Sequence, residues 1–584
     1  MENEGTLTAG LPDSLASRAD QMFPSLTAAQ LARVAALGRR RATTSGEVLI
    51  QAGDHVVPFF VVISGRVESV RHAPGGDTLI RIHRPGQFTG EANLLSGRPA
   101  LVGARVSESG EVVELDREHL LDLVQTDPDL SDVFMRAFIL RRLALISTER
   151  GDAVVIGTSQ CSNTLRVREF LTRNAHPFTY IDVDSDEDVQ TLLGRFQVAA
   201  EGFPVVLCRG ELLLRNPSNE QIADCLGFND AIDLSKVRDV VVIGAGPSGL
   251  AAAVYAASEG LNVLVIETNS PGGQAGSSSR IENYLGFPTG ISGQELAGRA
   301  YSQAEKFGAE FRIAKGATKL SCEALPYRVE MGDGAAVSCR AVIVASGAQY
   351  RRLPLPELPR FEGVGVYYSA TFMESQLCGG EEVIVVGGGN SAGQAALFLA
   401  QAAGKVHLLV RAATLSETMS HYLIRRIEES ESIDLRVRTE IVALDGRNSQ
   451  ERSHHLESVT WRDNVTGAEE TRPIRHVFLM TGAAPSTAWL DGCLALDAKG
   501  FVKTGPDLSA EDLAEYHWPL ARRPHLLETS LPGVFAVGDV RSGNVKRVAS
   551  AVGEGSIAVS MVHQTLQPVQ DPPPLPASRN SGSS

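Results

Sequence analysis

Short, unbroken apolar runs followed by alanine-rich helical stretches dominate the second half of the chain. Asp239-Val-Val-Val-Ile, Val263-Leu-Val-Ile, Glu382-Val-Ile-Val-Val and Val406-His-Leu-Leu-Val are four of them. Runs of this length, bounded by glycine turns, predict strands buried on both faces of a parallel sheet. The stretch from Val237 to about Leu566 therefore predicts a large α/β module. The front of the chain is patterned differently. From Phe23 to Ile146 the turn signals Ser45-Gly46, Ala52-Gly53, Ser64-Gly65, Pro74-Gly75-Gly76 and Pro85-Gly86 recur every seven to twelve residues. That spacing predicts a small antiparallel β roll between helical ends. Between the two lies a compact β-α-β-α-β pattern. Its strands are Ala153-Val-Val-Ile-Gly, Phe178-Thr-Tyr-Ile-Asp-Val and Phe203-Pro204-Val-Val-Leu, with a helix over 163–173 and an acidic helix start at Ser185-Asp-Glu-Asp. Residues 1 to about 20 and the Pro/Ser-rich stretch from Gln567 are expected to be mobile or disordered.

Composition narrows the classes. The 584 residues carry 54 Lys plus Arg against 69 Asp plus Glu, a net charge of −15. An acidic chain argues against a main role on nucleic acid or an anionic membrane. No apolar stretch is long enough to span a bilayer and no basic leader opens the chain, so a cytoplasmic location is expected. The seven cysteines are too sparse for a disulfide scaffold and form no Cys-x-x-Cys, so no metal site is expected.

The chemistry lies in two glycine turns. The first apolar run leads into Gly244-Ala-Gly246-Pro-Ser-Gly249 and a helix to Ser258. In this strand–turn–helix context the first glycine allows the tight turn, the second lets backbone approach a pyrophosphate, and the third packs helix on strand. The anion sits on the helix N-terminus. The next strand ends at Glu267, a carboxylate that holds ribose hydroxyls and repels a 2′-phosphate. The second copy is Gly387-Gly-Gly389-Asn390-Ser391-Ala392, and its following strand ends at Arg411. A cation there suits a 2′-phosphate, hence NADPH over NADH. Two dinucleotide sites on one chain imply FAD plus a nicotinamide.

Residues 236–566 resemble the low-molecular-weight thioredoxin reductase branch of the flavin-dependent pyridine-nucleotide disulfide oxidoreductases. The resemblance rests on both fingerprints and on Pro271-Gly-Gly-Gln274, Ile281-Glu-Asn283-Tyr284, Ala345-Ser-Gly347-Ala, Thr481-Gly-Ala-Ala-Pro485 and Val534-Phe-Ala-Val-Gly538-Asp539. It implies FAD held by Gly244, Gly246, Gly249, Glu267, Gln274, Asn283, Gly347, Gly538 and Asp539. A helix opening at Val548 and Ala549 would point its N-terminus at the flavin pyrimidine, where a positive dipole stabilises negative charge. It implies NADPH on Gly387, Gly389, Asn390, Ser391 and Arg411, and a homodimer. The FAD domain would be discontinuous, 236–363 and 476–566, with the NADPH domain inserted at 364–475 and a disordered tail at 567–584. One departure is plain. The family's Cys-x-x-Cys is replaced by Tyr367-Tyr368-Ser-Ala-Thr-Phe-Met-Glu-Ser-Gln-Leu-Cys378, and lone Cys378 reads as structural.

Residues 151–230 resemble a glutaredoxin or thioredoxin fold, with Cys161 at a helix start, which lowers a thiol pKa, and Pro204 at the cis-proline position. Thr164 stands where the resolving cysteine would be, so Cys161 is either a single-thiol redox site or part of a degenerate packing unit. Residues 1–150 resemble a cyclic-nucleotide-binding domain, through Gly86-Gln-Phe-Thr-Gly90-Glu91-Ala-Asn-Leu-Leu-Ser-Gly97-Arg98-Pro99. In that family Glu91 takes the ribose 2′-hydroxyl beside Gly90, and an arginine nine residues on pairs with the phosphate. Ala100 stands at that place, with Arg98 or Arg105 as substitutes, so cyclic AMP is expected to bind weakly or not at all.

The resulting expectation is a multidomain NADPH-dependent FAD oxidoreductase with an unidentified small-molecule or protein acceptor, modulated by its front domains. Two rivals stand beside it. One is a redox or nucleotide sensor in which turnover is incidental. The other is a thioredoxin-disulfide reductase using Cys161 or a remote thiol pair.

Overall fold

The computed structural model describes residues 11–71, 78–90, 93–148, 152–158, 161–183, 203–209, 212–229, 232–446, 455–490 and 492–567. Glu91, the Pro74-Gly75-Gly76 turn and the acidic start at 185–188 lie outside the described residues.

The front unit is an antiparallel roll. Two long strands, Phe59–Arg71 and Gly103–Leu115, pair with each other through several register shifts and are flanked by Arg39–Thr43 and Thr78–His83. Such irregularities let long strands curl around a core. Phe59, Phe88, Phe134 and Phe138 fill it edge to face, with Phe88 and Phe134 centroids 4.9 Å apart. The last two come from the helix Pro128–Ser147, started by the Asp127 side chain on Leu130 N–H. Short helices lie at the start of this unit. Single-turn helices Asp13–Ala16 and Ala19–Met22 fold there because Leu11, Leu15 and Met22 cover Leu140, Ala144 and Leu145.

In the middle unit the spatial order is Phe178–Asp182, Ala153–Gly157, Val205–Cys208, Leu212–Arg215. The first pair is parallel and the other two antiparallel. The helix Ser162–Arg173 buries Thr164, Val167, Phe170 and Leu171 against this sheet. The Phe203–Pro204 bond is cis.

The largest sheet has seven strands. Glu310–Ile313, Val263–Glu267, Arg238–Ile243 and Ala336–Val344 lie side by side in parallel, and Val534–Ala536 joins Ala336–Val344 in parallel from the far end of the chain. Tyr327–Met331 and Ala317–Ser321 complete it as an antiparallel meander. A separate parallel sheet runs Val366–Tyr367, His476–Leu479, Glu382–Val386, Lys405–Val410, Ile433–Val437. The two sheets are bridged by a short ribbon, Ala348–Tyr350 against Ala483–Pro485. No helix among the described residues is long and apolar enough to cross a membrane.

Candidate active site

Both glycine turns sit at the carboxyl ends of parallel strands, the place where open α/β sheets bind ligands. At the first, Gly244 has φ +102°, and a methyl there would meet the Ala345 carbonyl oxygen at 2.4 Å. A methyl on Gly249 would fall 1.9 Å from the Gly244 oxygen, so helix and strand approach as closely as a side-chain-free residue allows. Gly246 and Gly347 face open space: the nearest atom to a methyl on Gly246 is 4.0 Å away, and none lies within 4 Å of one on Gly347. The helix Pro247–Ser258 begins at Gly246 with no side chain capping it, which leaves its first N–H groups for an anion.

Glu267 closes this cradle. It is buried, and its carboxylate accepts N–H bonds from Ala245 at 2.6 Å, Asn269 at 2.8 Å and Ser270 at 3.2 Å. Burial pushes its pKa up, and those three donors oppose the rise. Three of about four lone-pair positions are used, which leaves room for a ribose hydroxyl. The buried Ser270 hydroxyl beside it has no hydrogen-bond partner among the described residues. An open glycine cradle, a free helix terminus, a buried acceptor and an orphaned hydroxyl fit the adenosine diphosphate half of FAD. The other end fits as well. Gly538 donates its N–H to Glu554 at 2.7 Å, and Asp539 follows, its carboxyl pushed up by burial against Lys546 at 3.9 Å. The helix Val548–Leu566 starts uncapped. Gln274 hydrogen-bonds the Ala348 carbonyl, and Asn283 is exposed.

The second turn repeats the design with differences. A methyl on Gly387, φ +146°, would meet the Met480 oxygen at 2.3 Å, and Gly389 is open. The helix Asn390–Leu399 again starts without a side-chain cap. The Asn390 side-chain oxygen accepts from Ser420 N–H at 2.7 Å, tying down the neighbouring loop. Arg411 is exposed just beyond the strand Lys405–Val410. Sequence reasoning missed the residue joining the two sites. Tyr350, on the connecting ribbon, is largely buried, which raises its pKa, and it feels both Ser391 of the second turn and the Asp539 charge of the first site. Its only sequence signal is its place two residues after the Ala345-Ser-Gly347-Ala segment.

The thiols are rearranged relative to a local dithiol. Cys208 pairs with Cys225 and Cys322 with Cys493, two long-range pairs that spacing alone cannot reveal. Cys161, Cys339 and Cys378 are free. Cys378 is fully buried and its thiol is pushed up by burial to about 11; Cys339 likewise rises to about 12. Cys161 precedes the helix Ser162–Arg173 and is partly exposed. It lies at the opposite end of its sheet from Cys208, which pairs with Ala153 in register while Val205 pairs with Ile156. Thr164 is fully buried between Gly157 and Pro204. The start of the Cys161 helix packs onto the second α/β unit: Ser162 abuts Gly363, and Leu165 joins the core that holds Tyr367 and Cys378. The middle unit thus packs against the region that holds Tyr367 and Cys378.

In the front roll, Gly90, Asn93, Leu94, Arg98 and Ala100 line a cavity of about 20 Å³ together with Ser69 and Thr89. That is room for about one water. Arg105 pairs with Glu68 at 3.1 Å, and Arg98, which borders the cavity, donates to Tyr301 of another unit. Among the described residues no cluster of His, Cys, Asp and Glu could hold a metal.

Residues 40–127 match the cyclic nucleotide-binding domain family, and residues 238–555 match the pyridine nucleotide-disulphide oxidoreductase family. Thioredoxin reductase of Bacillus subtilis is 31% identical over 336 residues, 58% of this chain and 97% of the relative. NADPH-dependent thioredoxin reductase 3 of Arabidopsis thaliana is 31% identical over 373 residues, 61% of this chain and 65% of the relative. The crystal structure of Lactococcus lactis thioredoxin reductase aligns with 26% identity and a TM-score of 0.49, covering 56% of this chain and 98% of that one. Thioredoxin reductases use FAD and NADPH. The chain carries a cyclic nucleotide-binding domain at its front and belongs, through its larger part, to the thioredoxin reductase-like pyridine nucleotide-disulphide oxidoreductases.

Proposed function

We propose that the chain oxidises NADPH at the Gly387 turn, holds FAD at the Gly244 turn, and delivers electrons to an acceptor other than a local cysteine pair. The observation that carries this reading is the contrast of strand ends, with Glu267 buried among backbone donors and Arg411 open to solvent. The chemistry a bound flavin supplies is acceptance of hydride and onward release of one or two electrons. The residues supply the rest. Gly246 and the free N–H groups of its helix bind pyrophosphate, Glu267 grips the ribose, and Asp539 lies at the ribitol end. The N-terminus of the helix at Val548 and Ala549 offers positive potential to the pyrimidine edge. Gly389 and Ser391 seat the NADPH pyrophosphate, and Arg411 receives the 2′-phosphate. Tyr350 ties that seat to the flavin side.

The middle unit is read as thioredoxin-like, on its strand order, the thiol at a helix start and the cis Pro204. Neither remote cysteine pair includes Cys161 or Cys378, so the reading favours an acceptor outside the chain. The family resemblance adds a homodimer, which light scattering tests. Anaerobic bleaching of the flavin by NADPH is the first test of the reading, and an unbleached flavin refutes it. A side-by-side assay then separates acceptors. Thioredoxin reduction is expected to be absent or far slower than quinone reduction, because disulfide exchange needs one thiol to attack and another to resolve. Fast thioredoxin turnover, lost in Cys161→Ser, would make that thiol part of a relay.

A further inference from the structure

Arg98 stands in the front roll's Gly90–Ala100 segment, two residues before Ala100, and borders the roll's small cavity, yet its guanidinium finds its partners outside the roll. The side chain is only 6% exposed and crosses into two other units. Its Nη2 donates to the Tyr301 hydroxyl at 2.7 Å, and its guanidinium lies 4.5 Å above the Phe228 ring and 5.5 Å from the Tyr301 ring. Glu305, also buried and one turn further along the same helix, has Arg98 as the strongest favourable charge acting on it. A buried guanidinium stacked on an aromatic ring and bonded to a hydroxyl beside a buried carboxylate is a closed box, which a shifted or missing cation would leave uncompensated.

Tyr301 and Glu305 belong to the helix Gly293–Lys306, and Ala297 lies on the same stripe one turn earlier. Ala297 backs the cradle directly. A methyl on Gly272 would lie 2.6 Å from the Ala297 Cβ, and one on Gly293 would lie 1.8 Å from the Ala275 oxygen. The Gly272–Gly273 turn in turn touches the first fingerprint: Gly272 donates to the Ala245 carbonyl at 2.7 Å, and Gly273 packs against Gly246. A path therefore runs from Arg98 to Tyr301, one helical turn back to Ala297, and on to the backbone of the first fingerprint.

We propose that Arg98 is a positioning residue for the flavin cradle: the front domain's nucleotide segment grips the helix Gly293–Lys306 of its own chain and fixes the Gly272–Gln274 turn against the Gly244 fingerprint. The inference rests on the reading of that turn as the FAD site. It makes the front domain part of the cofactor site's support, whatever its own pocket holds.

The test is FAD binding to the full-length chain after flavin removal, followed by quenching of FAD fluorescence. Arg98→Gln is expected to raise the FAD dissociation constant roughly tenfold, the range for a lost charge-assisted hydrogen bond. Tyr301→Phe, which keeps the ring packed 4.6 Å from Phe311, should weaken FAD in the same direction and guards against misfolding of the first variant. Arg98→Lys should recover part of the loss, since it restores the charge without the planar stack. Gln125→Ala serves as the control. It removes the bond from Gln125 Nε2 to the Lys306 carbonyl, 2.9 Å, at the same interface but off the Ala297–Tyr301 stripe, and should leave FAD affinity unchanged. Unchanged affinity in both Arg98→Gln and Tyr301→Phe, with flavin bound normally by the unaltered chain, overturns the inference alone. An equal loss in Gln125→Ala also overturns it, by reducing the effect to loosened docking. No FAD binding by the unaltered chain overturns the underlying site assignment.

Discussion

The two dinucleotide turns were built by the same rule and finished differently. In each, the first glycine lies against the carbonyl that ends a neighbouring parallel strand, Ala345 for Gly244 and Met480 for Gly387. In each, the second glycine has open space beside it and the helix starts uncapped. They part at the third position, Gly249 against Ala392, and at the end of the second strand. Glu267 there is buried and already committed to three backbone donors, whereas Arg411 stands in solvent. A group held by buried, preorganised acceptors is kept between turnovers; one held by an exposed cation comes and goes. The contrast fits a resident flavin at one turn and an exchanging nicotinamide at the other, and it can be broken at four points.

The largest effect is expected from Gly249→Ala. The added methyl would sit 1.9 Å from the Gly244 oxygen, a backbone atom that cannot move without opening the turn. Overpacking of this kind costs about 2–3 kcal/mol. The variant should purify without flavin and melt at lower temperature. A yellow, equally stable Gly249→Ala protein would show that the turn is looser than its geometry.

Glu267→Gln comes next. The amide keeps the shape but loses the charge and sets an N–H donor against backbone donors, so FAD affinity should fall between roughly tenfold and a hundredfold. The same residue predicts a pH effect. Burial holds the Glu267 pKa above 4.5, so its carboxylate begins to neutralise at less acid pH than a free glutamate. The charged form is the better acceptor for ribose. FAD retention should therefore weaken as pH falls through that raised value, and Glu267→Gln should flatten the profile. Equilibrium dialysis across the acid range reads both.

Arg411→Ala should act on one coenzyme only. An exposed ion pair contributes little, so the NADPH KM is expected to rise roughly five- to tenfold with kcat and the NADH KM nearly unchanged. Equal losses for both coenzymes would mean that Arg411 does not meet the 2′-phosphate.

These differences mark what was legible in the chain and what was not. The fingerprints, their strands and the sign of the charge after each are local, because backbone geometry over a few neighbouring residues dictates glycine at Gly244 and Gly387. The roll was legible through its turns, since each glycine interrupts a strand at a regular interval. Burial was not legible: nothing near Glu267 or Arg411 says that one is enclosed and the other exposed. Long-range meetings were hidden for the same reason. Cys322 and Cys493 lie 171 residues apart, with the whole second sheet between them, and come together only once both halves of the larger sheet assemble. In sequence, Arg98 is only one of two candidates, with Arg105, for the missing phosphate arginine. Its partner Tyr301 lies 203 residues away, in a unit whose packing no local pattern encodes.

The smallest effect, Ala392→Gly, is the converse of the first and the sharpest check on the comparison. At the second turn the third position already carries a methyl, that of Ala392, and it is accommodated in full burial. Helix and strand are therefore farther apart here than at Gly249, and the Ala392 side chain fills the gap, fully buried. Removing it deletes one buried methyl and places glycine in the first turn of a helix, together about 1.5 kcal/mol. It does not touch Gly389, Ser391 or Arg411, so the NADPH KM should stay within about twofold, a change worth under 0.5 kcal/mol. Stability should drop slightly while coenzyme binding holds. If Ala392→Gly instead tightened NADPH to the point of co-purification, the third residue rather than the strand-end charge would be what separates a resident cofactor from an exchanging one, and the contrast between Glu267 and Arg411 would lose its meaning.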